Sequence, residues 1–176
     1  MINSESLWKP HALLLLADYF YSKNEVIKAK DLQPFIYNNI TKYHIPSLYA
    51  LTIKTLGKDS TRRERVEFLL RFVQDIPYGI PPTHSNNKVI SGILPPPQIF
   101  IEKWGDCDSK VLLITSILAH EPRYKILLVY LEKHLLMAFE GRPHKGDKFI
   151  VFKGRKFILG DPTGPARLPL GDPGSD

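Results

Sequence analysis

Apolar positions recur with a helical period in the first half of the chain and with a strand-like texture in the second. Residues 13–21 form an apolar run that predicts a helix beginning after Pro10. Shorter helices are expected over 30–38 and between Pro46 and Leu56, where Gly57 breaks the pattern. Thr61 and Glu64 have the spacing of a capping box, and Val66, Leu69, Leu70 and Val73 follow at i, i+3, i+4, i+7 intervals. A firmer helix is therefore expected there, ended by Pro77. From Pro77 to Pro97 the doublet Pro81-Pro82, Asn86-Asn87, Gly92 and the run Pro95-Pro96-Pro97 predict a long loop. Gly105-Asp106-Cys107 then precedes a run from Val111 to Leu118 that is apolar on most faces, as in a central, buried helix. Strands are expected over 125–131, 135–139, 149–152 and 156–159, the last two joined by a hairpin through Lys153-Gly154-Arg155. Helices first and strands second predict an α+β domain with an antiparallel sheet. Residues 160–176 are turn-rich.

Composition narrows the function classes. The chain has 176 residues, 43% of them hydrophobic and 24% charged, the size and balance of one folded domain. A single cysteine, Cys107, excludes an internal disulfide framework and a multi-thiolate zinc site. The longest aliphatic stretch, residues 12–17, is far short of the ~20 residues that span a bilayer, so no membrane span is expected. No secretory signal is visible, and a lone unpaired thiol suits a reducing cytoplasm, although catalytic cysteines also work outside it. Asn39-Ile40-Thr41 fits the common glycosylation-acceptor pattern. The net charge of +6 gathers at Arg62, Arg63 and Arg65 and again at Lys145, Lys148, Lys153, Arg155 and Lys156. Neither run interleaves with an aromatic RNA-binding signature; they read as a solvated helix face and a solvated hairpin, and no nucleic-acid partner is expected.

There is no Gly-rich phosphate loop, dinucleotide fingerprint, His-Glu-x-x-His or Cys-x-x-Cys, so neither a cofactor nor a metal is expected. What remains is one thiol in a special context. Cys107 follows a Gly-Asp turn and opens the buried helix, where free N–H groups and the helix dipole favour thiolate over thiol. The same N–H groups can stabilise an oxyanion. His134 stands at the start of a strand and could shuttle the proton; Asp161 lies just past the end of another and could fix the imidazole tautomer. Each residue alone has an ordinary structural explanation: a core cysteine, a structural histidine, an Asp-Pro turn opener. Their joint order is harder to explain that way.

That order carries a resemblance. Trp104-Gly105-Asp106-Cys107-Asp108-Ser109-Lys110 resembles the nucleophile motif of the transglutaminase-like superfamily, of the bacterial cysteine-peptidase type. His134 before Leu135-Leu136-Met137-Ala138-Phe139 matches its second block, and Leu159-Gly160-Asp161-Pro162-Thr163 its third. Phe72-Val73-Gln74-Asp75-Ile76-Pro77-Tyr78 looks like the helix end that often precedes the motif. The resemblance covers roughly residues 62–169 and implies a papain-like α+β core with the nucleophile helix packed on an antiparallel sheet. It divides the chain into an N-terminal helical segment (1–57) packed on the core, a catalytic core (58–170) and a tail (171–176). It also implies a Cys–His–Asp triad that forms a thioester with an acyl donor: Cys107 as nucleophile, His134 as general base and acid, Asp161 as orienter. Many members add an upstream aromatic or amide oxyanion donor, for which Gln74 is the candidate. The sequence departs from the family where an aromatic often follows the histidine; here Leu135, Leu136 and Met137 stand there. Residues 1–57 match no motif of the family.

The expected function is cysteine-dependent acyl transfer on an amide, peptide or protein substrate, with hydrolysis favoured over transfer to an amine because water is always available. Two other classes stay open at this point. One keeps the fold as a catalytically inactive binding module that uses the proline-rich loop; the other is basic-surface binding to nucleic acid. An activated pair should make the Cys107 thiol titrate well below the ordinary ~8.5.

Overall fold

The computed structural model describes residues 46–85, 88–89 and 92–174. The helices expected over 13–21 and 30–38, and the Asn39 acceptor pattern, lie outside the described residues. Helix α1 (Pro46–Leu56) and helix α2 (Arg62–Gln74) are followed by β1 (His84–Ser85) and β2 (Lys88–Val89), then α3 (Pro96–Glu102) and α4 (Cys107–Leu118). Strands β3 (Ile126–Tyr130), β4 (Leu135–Glu140), β5 (Phe149–Phe152) and β6 (Arg155–Gly160) complete the order. The last four form one antiparallel sheet in the order β3-β4-β6-β5, so the α+β class stands.

The capping box opens α2 as expected. Thr61 Oγ1 accepts from the Glu64 backbone N–H, and the Glu64 carboxylate accepts from the Thr61 N–H at 2.7 Å. The stripe Val66, Leu69, Leu70 and Val73 is fully buried against α4 and the sheet. Helix α4 is buried along almost its whole length, and its hydroxyls turn inward on the helix: Thr115 Oγ1 donates to Val111 O and Ser116 Oγ to Leu113 O, both at 2.7 Å. Leu135, Met137 and Phe139 alternate along β4 and, with Ile126, Leu128 and Ile158, present one sheet face to α4. Each such side chain contributes about 1.5–3 kcal/mol by leaving water. Tyr49 of α1 meets Tyr124 edge-on at 6.1 Å, tying α1 to the entrance of β3.

Two features differ from the sequence reading. The stretch expected to be loop from Pro77 to Pro97 contains the two-residue β1–β2 ladder and ends inside α3. Pro96 and Pro97 occupy the first two positions of α3, where the missing N–H groups would have had no intrahelical acceptor and φ is already helical. Gly171, read as the first residue of a tail, bonds to the sheet: its N–H donates to Leu159 O at 2.7 Å, and its carbonyl accepts from Lys148 N at 2.8 Å.

The β5–β6 turn places Lys153 and Gly154 at φ 48° and 74°, the left-handed pair that a two-residue hairpin turn requires.

Candidate active site

Four chain segments converge at the start of α4. Asp106 is the N-cap, its Oδ1 accepting from the Ser109 N–H at 3.0 Å, so Cys107 is the first helical residue. Just upstream, Gly105 is paired to the end of the α2 exit: Gly79 N donates to Gly105 O at 3.3 Å and Gly105 N to Pro77 O at 3.1 Å. Gly79 is required there, because a Cβ would fall 2.6 Å from the Trp104 ring. This pairing sets Tyr78 alongside the Asp106–Asp108 turn.

His134 ends the β3–β4 connection, where its carbonyl accepts from Leu131 N at 2.8 Å. Its Nε2 lies 3.0 Å from Asp161 Oδ2. The other carboxylate oxygen, Asp161 Oδ1, accepts from the Thr163 N–H at 2.8 Å, so both oxygens are held. A carboxylate facing Nε2 assigns the proton to that nitrogen and leaves Nδ1 as the basic one. The backbone N–H of the next residue, Leu135, reaches the Cys107 sulfur. Cys107, His134 and Asp161 are thus gathered in one place, although no direct Cys107–His134 hydrogen bond is present among the described residues.

The electrostatics correct one expectation. The half-buried Cys107 thiol is pushed up to about 12, first by burial and then by the Asp108 carboxylate, with Asp106 adding to it. The Leu135 N–H pulls the other way and loses. The thiol donates to Asp108 Oδ1 at 3.4 Å. The sulfur stands at a helix N-terminus, but burial first and then the two neighbouring carboxylates disfavour its thiolate. At rest Cys107 is therefore a thiol. Asp108 is itself raised by burial and by Asp106, and lowered by its bond to Cys107 and by His134. Tyr78, 50% exposed, is raised first by burial and also by the nearby acidic groups, Asp106 and Asp108 among them, which keeps its phenol protonated and a donor.

Gln74 is not the oxyanion donor that was expected. It is 1% exposed, and its Nε2 donates to Asp161 O at 2.8 Å and Leu168 O at 2.9 Å, leaving no N–H for a substrate. Gly164 packs onto the same point: at φ +66° its place for a Cβ is 2.2 Å from Gln74 O, which only glycine tolerates. Candidate donors lie elsewhere, in the Cys107 and Asp108 backbone N–H groups, which have no acceptor among the described residues, and in the Tyr78 hydroxyl. Sequence reasoning also missed Lys110. A cation three residues after Cys107, inside an otherwise apolar helix, was the available signal; it is fully buried.

Among the described residues no cluster of three His, Cys, Asp or Glu could hold a metal ion, and no helix is long and apolar enough to cross a membrane. A hollow of about 670 Å³ lined by Tyr124, Phe152 and Phe157 lies at the other end of α4, away from the thiol. Compared with known proteins, the chain matches no family model, no curated protein and no solved structure.

Proposed function

We propose that the chain is a cysteine-dependent acyl-transfer enzyme with a transglutaminase-like, papain-like core, acting on an amide bond of a peptide or protein and passing the acyl group to water. The observation that carries this reading is the His134–Asp161 pair at 3.0 Å, with the adjoining Leu135 N–H at the Cys107 sulfur. Because the thiol is protonated at rest, His134 works as a general base rather than as the counter-ion of a standing thiolate. Nδ1 takes the Sγ proton as sulfur attacks the carbonyl carbon, and the oxyanion is met by the Cys107 N–H and the Tyr78 hydroxyl. Collapse expels the amine, which leaves with the proton from the imidazolium, and a thioester remains. Water, giving a proton to Nδ1, attacks the thioester; the C–S bond breaks, the acid departs and the thiol takes the proton back. Asp161 holds the tautomer throughout.

Turnover of amide and ester substrates by the wild type, abolished in Cys107→Ala, is the expected result. Identical behaviour of the two toward every substrate and thiol probe would sink the proposal. One observation favours a second reading, a catalytically inactive transglutaminase-like binding module: a thiol raised to about 12 suits an inert residue. That reading expects partner binding to survive Cys107→Ala.

A further inference from the structure

Lysine is among the residues least often fully buried, and it is found there only when its charge and N–H groups are answered. Lys110 is 0% exposed. Its Nζ donates to two main-chain oxygens from different segments, Ile76 O, two residues before Tyr78, and Thr163 O, two residues after Asp161. Standing at i+3 from Cys107, it lies one turn further along the same helix face.

Resting on the acyl-transfer reading, we propose that Lys110 is a positioning residue: a buried ammonium that clamps the Asp161 loop and the Tyr78 segment to the nucleophile helix and so fixes how Asp161 meets His134. The clamp is specific in what it joins. Thr163 supplies the N–H that holds Asp161 Oδ1, and the carbonyl of the same residue is held by Lys110. Gln74 holds the Asp161 carbonyl from the other side. The loop is therefore tied to its surroundings by Lys110 and Gln74, and its own Thr163 N–H orients the carboxylate toward His134.

The charge matters beyond the geometry. The carboxylates that face Lys110 are Asp161, from the loop after β6, and Asp106, from the helix cap; burial opposes the ammonium and both carboxylates support it. Around the thiol stand Asp106, Asp108, Tyr78 and the backbone of Leu135, and His134 faces Asp108 and Asp161. In this acidic surrounding Lys110 is the cation that offsets Asp161 and Asp106. A neutral side chain of similar length would fill the space but leave two half-buried carbonyls without this donor and the two carboxylates without this cation.

The test compares Lys110→Met and Lys110→Arg with the wild type, reading the His134 imidazole titration by NMR and the iodoacetamide alkylation rate of Cys107 against pH. Loss of the clamp should move the His134 ring signals and slow alkylation at mildly alkaline pH by roughly threefold or more. Lys110→Arg should keep both profiles near wild type even if its melting temperature falls. Profiles unchanged in a folded Lys110→Met would overturn the proposal and reduce Lys110 to a structural tie. Should Lys110→Met not fold, the Lys110 ammonium is followed in the wild type and in Asp161→Asn by ¹⁵N-detected titration. An amine already neutral at pH 7, or a midpoint indifferent to Asp161→Asn, would overturn it equally. None of these readouts needs a substrate, so Lys110 can be linked to His134 even where Cys107→Ala shows no activity to lose. That combination would sink the acyl-transfer reading alone.

Discussion

Gln74 Nε2 donates to the main-chain oxygen of Asp161 at 2.8 Å across 87 positions of chain. The side chain at the end of α2 thus holds the backbone of the residue whose carboxylate addresses His134. Gln74→Leu should keep the volume and remove two hydrogen bonds to half-buried carbonyls, at a cost of about 1–3 kcal/mol. A denaturant midpoint unchanged in Gln74→Leu would show that these bonds carry no stability.

The thiol raised to about 12 makes a kinetic prediction with a definite sign. Alkylation of Cys107 should be slow at neutral pH and rise about tenfold per unit until the thiol titrates. Asp108→Asn removes the largest charged influence after burial, so it should speed alkylation at fixed pH by roughly three- to tenfold. Because the folded thiol titrates above its unfolded value, stability should hold through neutral pH and then fall as pH rises from about 8.5 toward the folded value. Fast wild-type labelling in mildly acidic buffer would contradict this account.

Tyr78→Phe keeps the ring and loses the hydroxyl. If the phenol meets the oxyanion, kcat should drop by about 10²–10³ with KM little changed. An equal rise in KM with kcat intact would assign Tyr78 to substrate binding instead.

Arg63 and Asp147 make a paired contact away from the site. Arg63 Nη1 reaches Asp147 Oδ2 at 2.6 Å and Nη2 reaches both Asp147 Oδ1 at 3.2 Å and Leu170 O at 3.1 Å. The guanidinium holds the Asp147 carboxyl below its usual range. A carboxyl depressed by folding contributes stability above its unfolded pKa, near 4, and loses it as pH falls through the folded value. Asp147→Asn should therefore cost about 1–3 kcal/mol at pH 7, with the difference from wild type shrinking below pH 4. Melting curves at the two pH values check it; an equal difference at both would mean that the charge plays no part.

How much of this was readable in the sequence depends on the range of the physics involved. Helix α2 announced itself because its cap and stripe are local, with Thr61, Glu64 and Val66–Val73 all within four turns. Helix α4 was readable because burial on every side leaves no polar face to hide. Helix α3 was hidden, since three successive prolines look like a breaker unless they fall on the first turn. The candidate triad could be placed at element ends but not measured, because the 3.0 Å between His134 and Asp161 is set by the β4–β6 register. Gln74 and Lys110 were misread or missed for one reason. Their acceptors are main-chain oxygens supplied by distant segments, 161–168 for both and Ile76 as well for Lys110, and no periodicity in one element reports a partner in another. The state of the thiol is hidden differently: Asp106 and Asp108 stand beside it in the sequence, but the burial that acts most strongly on it comes from the folded chain.

Segments 74–78, 106–110, 134–135 and 161–163 must all be present before the site exists. During synthesis, Cys107 leaves the ribosome more than fifty residues ahead of Asp161. Through that interval the helix that carries it has neither its sheet nor the loop that Lys110 anchors. A nascent or truncated chain thus bears Cys107 without the His134–Asp161 pair beside it, and the chemistry proposed for the site would wait until the last strand of the sheet has joined.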